Sequence, residues 1–218
     1  MPDLPAFTVD SLREALRLPL PGRSAQLAMG VKPRPGHSPG LPRARPLEAA
    51  VLLLMYQRGS EWMLPLTRRT DTVQSHKRQI SLPGGAREAQ DTTLADTAVR
   101  ETCEELGVPP HAIELLGTLT PLHIPVSGFC VHPYVGYSDR IPVFVPRSEE
   151  VAEVLEAPLL LLLDPATRRV VSRVRDGQRY SIPLYQLWYY EVWGATAMIL
   201  GEFVALLRQA LGALPEQS

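Results

Sequence analysis

The chain has 218 residues, of which 45% are hydrophobic and 21% are charged, and its formal net charge is −1. This length and composition suit one domain with a sizeable core, and the balanced charge argues against a basic surface for nucleic acid or membranes. The two cysteines, Cys103 and Cys130, are too few and too far apart to indicate a disulfide framework or a zinc site. The sequence shows no signal-peptide pattern and no uncharged apolar run of about 18 residues, so we expect a cytoplasmic protein.

The first 46 residues differ in composition from the rest of the chain. Residues 8–18 have the apolar spacing of a short amphipathic helix, and residues 19–46 are rich in Pro, Gly and basic residues. We therefore predict three parts. These are an N-terminal helix with a Pro-rich extended arm over residues 1–46, one domain over residues 47–212, and a tail over residues 213–218.

Apolar runs bounded by turn residues predict the elements of the domain. Strands are expected at residues 49–57, 61–68, 114–119, 131–137 and 189–193, with loops at residues 69–79 and 120–130. Asp176-Gly177 is the strongest hairpin signal and predicts pairing of residues 168–175 with residues 179–184. Residues 150–157 fit either a strand or a helix, and helices are expected at residues 159–163 and 195–211.

A helix is predicted over residues 94–106, capped by Asp91 or Thr92 and ended by Gly107. The residues expected to face the core lie on one stripe of this helix: Ala95, Val99, Thr102 and Leu106.

Three carboxylates of this helix, Glu101, Glu104 and Glu105, fall on a different arc, because residues three and four apart are neighbours on a helix. Such a cluster fits a hard divalent cation, since Mg²⁺ prefers oxygen ligands, although a solvated acidic face is the alternative for three Glu alone. The preceding Gly84-Gly85 pair favours the cation, because glycine allows the backbone to approach a ligand closely.

The complete pattern is Pro-Gly-Gly, then acids at Glu88 and Asp91, then Arg-Glu-x-x-Glu-Glu-x-Gly from Arg100. It resembles the signature of the Nudix hydrolases, with Asp91 in place of the usual Glu and one extra residue between Gly85 and Arg100. The resemblance implies an α/β fold, a Nudix-type α/β/α sandwich with a mixed sheet.

The same resemblance implies a site that binds Mg²⁺ or Mn²⁺. Glu101, Glu104 and Glu105 would be the catalytic and metal-binding residues, joined by a backbone carbonyl of Gly84. Glu104 is open to two roles, metal ligand or general base. Arg100 is expected to orient the carboxylates by charge-assisted hydrogen bonds.

The stretch Leu-Thr-Arg-Arg-Thr before the Gly-Gly turn, followed by a His and by Gln-Ile-Ser-Leu-Pro-Gly-Gly, resembles the coenzyme A diphosphatase branch of this family. The substrate-binding candidates are the basic residues of this stretch: Arg68, Arg69, His76, Lys77 and Arg78. Such side chains suit the extra 3′-phosphate of coenzyme A, with Arg69 as the first candidate. The alternatives are a solvated strand end for the two arginines and an ordinary loop histidine for His76.

The resemblance thus implies hydrolysis of coenzyme A, with its thioesters and disulfides as further candidates, to 4′-phosphopantetheine and adenosine 3′,5′-bisphosphate. Another nucleoside diphosphate derivative, such as ADP-ribose, is the alternative substrate, and a non-catalytic nucleotide-sensing module is the alternative function. The expected partner is a small-molecule substrate, with no nucleic acid and no membrane. A homodimer is left open.

Overall fold

The computed structural model describes residues 7–34, 46–70, 79–146 and 150–212. Its α-helices are α1 (Val9–Ala15), α2 (Gly22–Ala28), α3 (Leu94–Leu106), α4 (Leu159–Leu163) and α5 (Gly194–Ala210). Its strands are β1 (Leu47–Arg58), β2 (Glu61–Arg69), β3 (Ile80–Ser81), β4 (Gly84–Ala86), β5 (Glu114–Thr118), β6 (Leu122–Ile124), β7 (Phe129–Ser138), β8 (Val151–Pro158), β9 (Arg168–Arg175), β10 (Gln178–Leu187) and β11 (Tyr190–Trp193).

Strand β1 lies at the centre of a mixed sheet with the strand order β3-β2-β1-β7-β5. It pairs in parallel with β7 and antiparallel with β2. Strands β4, β6 and β8 extend this sheet by pairing with β1, β7 and β2, respectively, and β9, β10 and β11 form a second, three-stranded sheet. The predicted mixed sheet is therefore confirmed.

Both faces of β1 are buried, which explains its nearly continuous apolar sequence. Since successive strand residues point to opposite faces, Leu52 and Leu54 pack with α3, whereas Leu53 and Met55 join the core that contains α5. Helices α1 and α2 contact α5 on that second face. The arrangement of helices on both sides of one sheet confirms the expected α/β/α sandwich.

The prediction of an extended arm over residues 19–46 is wrong at its start, because residues 22–28 form α2. The Gln26 side chain donates hydrogen bonds of 2.7 Å to the Thr120 carbonyl and to the buried Glu202 carboxylate on α5. Met29 is also buried. These contacts with the body of the protein stabilise a helix that the local composition does not predict.

The division at residues 46 and 47, and the tail at residues 213–218, stay predictions. The tail lies outside the described residues, as do residues 35–45 of the arm.

Residues 120–130 are also not entirely a loop, since β6 pairs with the start of β7 from Ile124 opposite Phe129. Residues 150–157 are strand β8 apart from the first, and their pairing with β2 decides between the two alternatives. The Asp176-Gly177 hairpin is confirmed, with positive φ angles of 51° and 75° at its two central residues.

The predicted core stripe of α3 is confirmed at Thr102 and Leu106, which are buried, and wrong at Ala95 and Val99, because the buried stripe is rotated toward Ala98 and Glu105. The side chains packed against β1 include Ala98 and Leu106, while Ala95 and Val99 line an open cleft of about 380 Å³ on the outer side of the helix. Glu105 is buried on the inner side, where it meets the Gly-Gly turn. Apolar periodicity alone missed a buried carboxylate that has a backbone partner.

No helix in the described ranges is both long and apolar enough to cross a membrane.

Candidate active site

The Gly84-Gly85 turn is held against the centre of the sheet, where Gly84 pairs with Val51 of β1. Gly84 has a φ of 150°, and a Cβ there would lie 2.3 Å from the Ala50 carbonyl oxygen. A Cβ on Gly85 would lie 2.5 Å from Glu101 Oε1. Gly84 therefore requires glycine, because a Cβ there would meet backbone, whereas at Gly85 the missing side chain leaves room for the Glu101 carboxylate to approach the turn.

The three predicted carboxylates of α3 differ in exposure. Glu105 is 6% exposed and accepts a 3.2 Å hydrogen bond from the Gly84 N–H. Its burial raises the pKa of the Glu105 carboxyl to about 7, because a charged group loses hydration there. Burial also raises the pKa of Glu101, and the Glu104 side chain is 56% exposed. The carboxylates of α3 thus range from the buried Glu105 to the exposed Glu104.

Arg100 connects these carboxylates to the loop before the helix. Its guanidinium lies 3.0 Å from Glu101 Oε1 and 3.2 Å from Glu104 Oε2, and it donates a 3.1 Å hydrogen bond to the Ala86 carbonyl. These are the contacts of a residue that orients carboxylates, the role predicted for Arg100.

Asp91, the residue that departs from the family pattern, anchors Arg100 in a bidentate pair with distances of 2.9 and 3.0 Å. The same carboxylate accepts hydrogen bonds of 2.9 Å from the Glu88 N–H and the Thr97 hydroxyl. Arg100 and these donors hold the pKa of Asp91 well below its usual range.

The predicted cap of α3 by Asp91 or Thr92 is therefore wrong. The cap is Thr93, which forms a capping box with Asp96, while Asp91 is committed to Arg100.

The turn and the helix share a cleft of about 340 Å³. Its lining residues are Arg69, Gly84, Gly85, Ala86, Glu88, Glu101, Glu104, Glu105 and Glu150. The structure thus brings Arg69 of the upstream stretch to the acidic helix, and its substrate-binding role stays a prediction.

Glu150, which forms an ion pair with Arg69, was not identified from the sequence. It lies far from the signature along the chain and reaches the cleft through the pairing of β2 with β8, for which the local pattern carries no signal.

The other basic candidates are placed differently. Arg68 Nε donates a 3.0 Å hydrogen bond to Glu153, which also accepts a 2.6 Å bond from the Tyr190 hydroxyl. Arg68 is not among the described residues that line the cleft. His76, Lys77 and Arg78 lie outside the described residues, so their substrate-binding roles stay predictions.

The donors in the cleft suit a divalent cation in chemical type, since Mg²⁺ and Mn²⁺ prefer carboxylate oxygens. A bound cation would favour the charged forms of Glu101 and Glu105, whose pKa values burial raises. Within the described ranges, no three His, Cys, Asp or Glu side chains already converge as a group that could hold a metal ion. Arg100 engages Glu101 and Glu104, and the Gly84 N–H engages Glu105.

The profile of the NUDIX domain matches residues 46–174. The chain is 37% identical over 165 residues to "Uncharacterized Nudix hydrolase NudL" of Pectobacterium atrosepticum, an alignment covering 73% of this chain and 84% of that protein. It is 36% identical over 155 residues to the protein of the same name from an Enterobacter species, covering 71% and 80%.

Among solved structures, a MutT/nudix family protein from Enterococcus faecalis has a similar fold. The TM-score is 0.50 at 18% sequence identity, with coverage of 81% of this chain and 71% of that one. The Gly-Gly turn, Arg100 and the helical carboxylates all lie inside the matched residues 46–174. The chain therefore belongs to the Nudix family, hydrolases of nucleoside diphosphate derivatives that generally use divalent metal ions such as Mg²⁺ or Mn²⁺.

Proposed function

We propose that this Nudix hydrolase cleaves the diphosphate of coenzyme A to 4′-phosphopantetheine and adenosine 3′,5′-bisphosphate. The observation that carries the proposal is the shared cleft. It places Arg69, which belongs to the stretch that resembles the coenzyme A diphosphatase branch, beside the carboxylates of α3. Thioesters and disulfides of coenzyme A share this diphosphate and are further candidate substrates. We further propose that the protein is cytoplasmic and has neither a nucleic-acid nor a membrane partner. A homodimer is left open.

In this proposal Glu101, Glu104 and Glu105, with the Gly84 carbonyl, hold Mg²⁺ or Mn²⁺. The ion would neutralise phosphate oxygens and make its bound water more acidic. Arg100, on the same helix, orients the Glu101 and Glu104 carboxylates through its ion pairs with them. Glu104, whose side chain is 56% exposed, has two alternative roles in this proposal: a ligand of the ion, or the acceptor of the proton that the attacking water loses.

The basic residues of the upstream stretch would bind the phosphates of the substrate. The proposed substrate-binding residues are Arg68, Arg69, His76, Lys77 and Arg78, and the 3′-phosphate is among the groups that they would contact. Arg and Lys both suit phosphate, and Arg binds it with two parallel donors.

A substrate panel with Mg²⁺ tests the proposal. Coenzyme A, ADP-ribose and NADH are incubated separately with the protein, and the products are separated by chromatography. We expect coenzyme A to be cleaved fastest and to yield the two products named above. Faster cleavage of ADP-ribose would assign the other substrate class, and the absence of any cleavage would favour a nucleotide-sensing module.

Two substitutions test the site. We expect Glu101→Gln and Glu105→Gln each to lower kcat by orders of magnitude, because each removes one charged ligand of the cation. Circular dichroism should show that both variants remain folded. Glu14→Gln, an exposed change on α1, is the control and should have wild-type turnover. Wild-type activity in both cleft variants would rule out the proposed cation site.

A further inference from the structure

Arg69 is the one basic side chain among the described residues that line the acidic cleft. The other members with charge are Glu88, Glu101, Glu104, Glu105 and Glu150. In such a cleft the single guanidinium can bind an anionic group of a ligand, while the carboxylates bind a cation that enters with it. Its planar donors match a phosphate or a carboxylate with two parallel hydrogen bonds.

The backbone around Arg69 is fixed on both sides. The Arg69 N–H donates a 3.1 Å hydrogen bond to the Gln79 carbonyl, and the Thr70 N–H donates a 2.8 Å bond to the Glu150 carbonyl. The pairing of β2 with β8 is irregular at this point, since Arg68 lies opposite Glu153 and Arg69 opposite Val151. Such a bulge changes the direction of a side chain next to a site. Here Arg69 lines the cleft, whereas Arg68 binds Glu153.

The guanidinium of Arg69 is only partly satisfied. One terminal nitrogen forms the ion pair with Glu150. The Nε atom is buried and has no hydrogen-bond partner in the part of the chain that the structure describes. A buried donor without a partner indicates an acceptor that is still to arrive. The Glu150 carboxylate accepts a hydrogen bond from this terminal nitrogen, which is the bond that an oxyanion of a substrate would accept.

We infer that Arg69 binds the reacting diphosphate itself, not the remote 3′-phosphate, and that the incoming diphosphate displaces Glu150 from the guanidinium. The cleft that contains Arg69 is the cleft lined by Glu101, Glu104 and Glu105, where the bond is cleaved in the proposed function. This inference rests on hydrolysis at that site, yet it holds for every substrate that carries a diphosphate. It assigns Arg69 to catalysis and Glu150 to its positioning in the substrate-free protein.

The first test compares Arg69→Ala, Arg69→Lys and wild type with coenzyme A, dephospho-coenzyme A and ADP-ribose. For each substrate that the wild type hydrolyses, Arg69→Ala should lower kcat/KM about 10- to 100-fold, the range for one charge-assisted hydrogen bond. Part of this loss should appear in kcat, since charge moves on the diphosphate during reaction. Arg69→Lys should restore part of the loss, and the exposed Arg169→Ala on β9 should change nothing.

The ratio of coenzyme A to dephospho-coenzyme A turnover distinguishes the two assignments of Arg69. It should stay constant in Arg69→Ala, because the missing phosphate is not the one that Arg69 contacts. A ratio that falls toward unity would overturn the inference and assign Arg69 to the 3′-phosphate. Cleavage of ADP-ribose in place of coenzyme A would defeat the proposed substrate alone, and loss of that activity in Arg69→Ala would still support the inference.

Binding of ADP with Mg²⁺, measured by calorimetry, gives a readout that needs no turnover. Wild type should bind ADP about tenfold more tightly than Arg69→Ala. Glu150→Gln removes the internal competitor and should tighten ADP binding by about two- to fivefold, the range expected for a partly exposed ion pair. Equal affinities of wild type and Arg69→Ala would overturn the assignment of Arg69. Weaker binding by Glu150→Gln would overturn the displacement.

Discussion

At the scale of single residues, Glu105 combines a structural cost with a proposed catalytic role. It is almost completely buried, and the Gly84 N–H alone does not offset the lost hydration of its carboxylate. This uncompensated loss of hydration raises the pKa of Glu105 to about 7. A divalent cation in the cleft would offset this cost, and under the proposed function the residue that weakens the metal-free protein would be a ligand of that cation.

This cost predicts a pH dependence of the metal-free protein. Because burial penalises the charged carboxylate, the stability is present at low pH and is lost as the pH rises from about 4.5, the ordinary value, through about 7. With a chelator at pH 8, Glu105→Gln should therefore melt several degrees above wild type, whereas at pH 5 the two should be similar. Thermal unfolding measures this difference.

Addition of Mg²⁺ at pH 8 provides the control for this prediction. The ion should raise the Tm of wild type more than that of Glu105→Gln, because the variant has lost one charged ligand. A variant that melts at or below the wild-type temperature in chelator at pH 8 would show that Glu105 is not the source of the loss.

At the scale of elements, the pair of Asp91 and Arg100 fastens the loop after β4 to helix α3. Asp91 precedes the helix and bonds Arg100 within it, and Arg100 in turn bonds the Ala86 carbonyl. The extra residue of the signature, between Gly85 and Arg100, therefore lies in a segment that the pair of Asp91 and Arg100 holds against the helix. We infer that the helix keeps its position against the Gly-Gly turn because of this pair.

The pair predicts the opposite pH dependence from Glu105. Arg100 holds the pKa of Asp91 below its usual value of 3.8, so the stabilisation is present above that pH and is lost as the pH falls through and below it. Asp91→Asn should lower the Tm at pH 6, and the difference from wild type should shrink below about pH 4. Asp139→Asn, an exposed change, serves as the control. A Tm difference that is independent of pH would contradict an ionic role of Asp91.

At the scale of the whole molecule, the N-terminal helices belong to the same packed unit as the mixed sheet. The buried Glu202 carboxylate of α5 accepts hydrogen bonds from Gln26 Nε2, the Gly22 N–H and the Thr120 N–H and hydroxyl, at 2.6 to 3.3 Å. One side chain therefore joins α2, α5 and the segment before β6.

Removal of this carboxylate should destabilise the entire domain. Glu202→Ala leaves several buried donors without an acceptor, which should cost about 3 kcal/mol or more and lower the Tm by about 6–12 °C. The exposed Gln209→Ala on the same helix is the matched control and should change the Tm little. A wild-type Tm for Glu202→Ala would mean that the N-terminal helices are held by other contacts.

The sequence by itself determined the features that depend on local spacing. The acids at Glu101, Glu104 and Glu105, the two glycines before them and the Asp176-Gly177 hairpin follow from helix and turn geometry over a few residues. Tertiary structure alone decided the placement of Arg69 against Glu150, the burial of Glu105 and the helical form of residues 22–28. Each of these depends on contacts between segments far apart in the chain, and the free energy of such contacts outweighs the local preferences that a sequence pattern records.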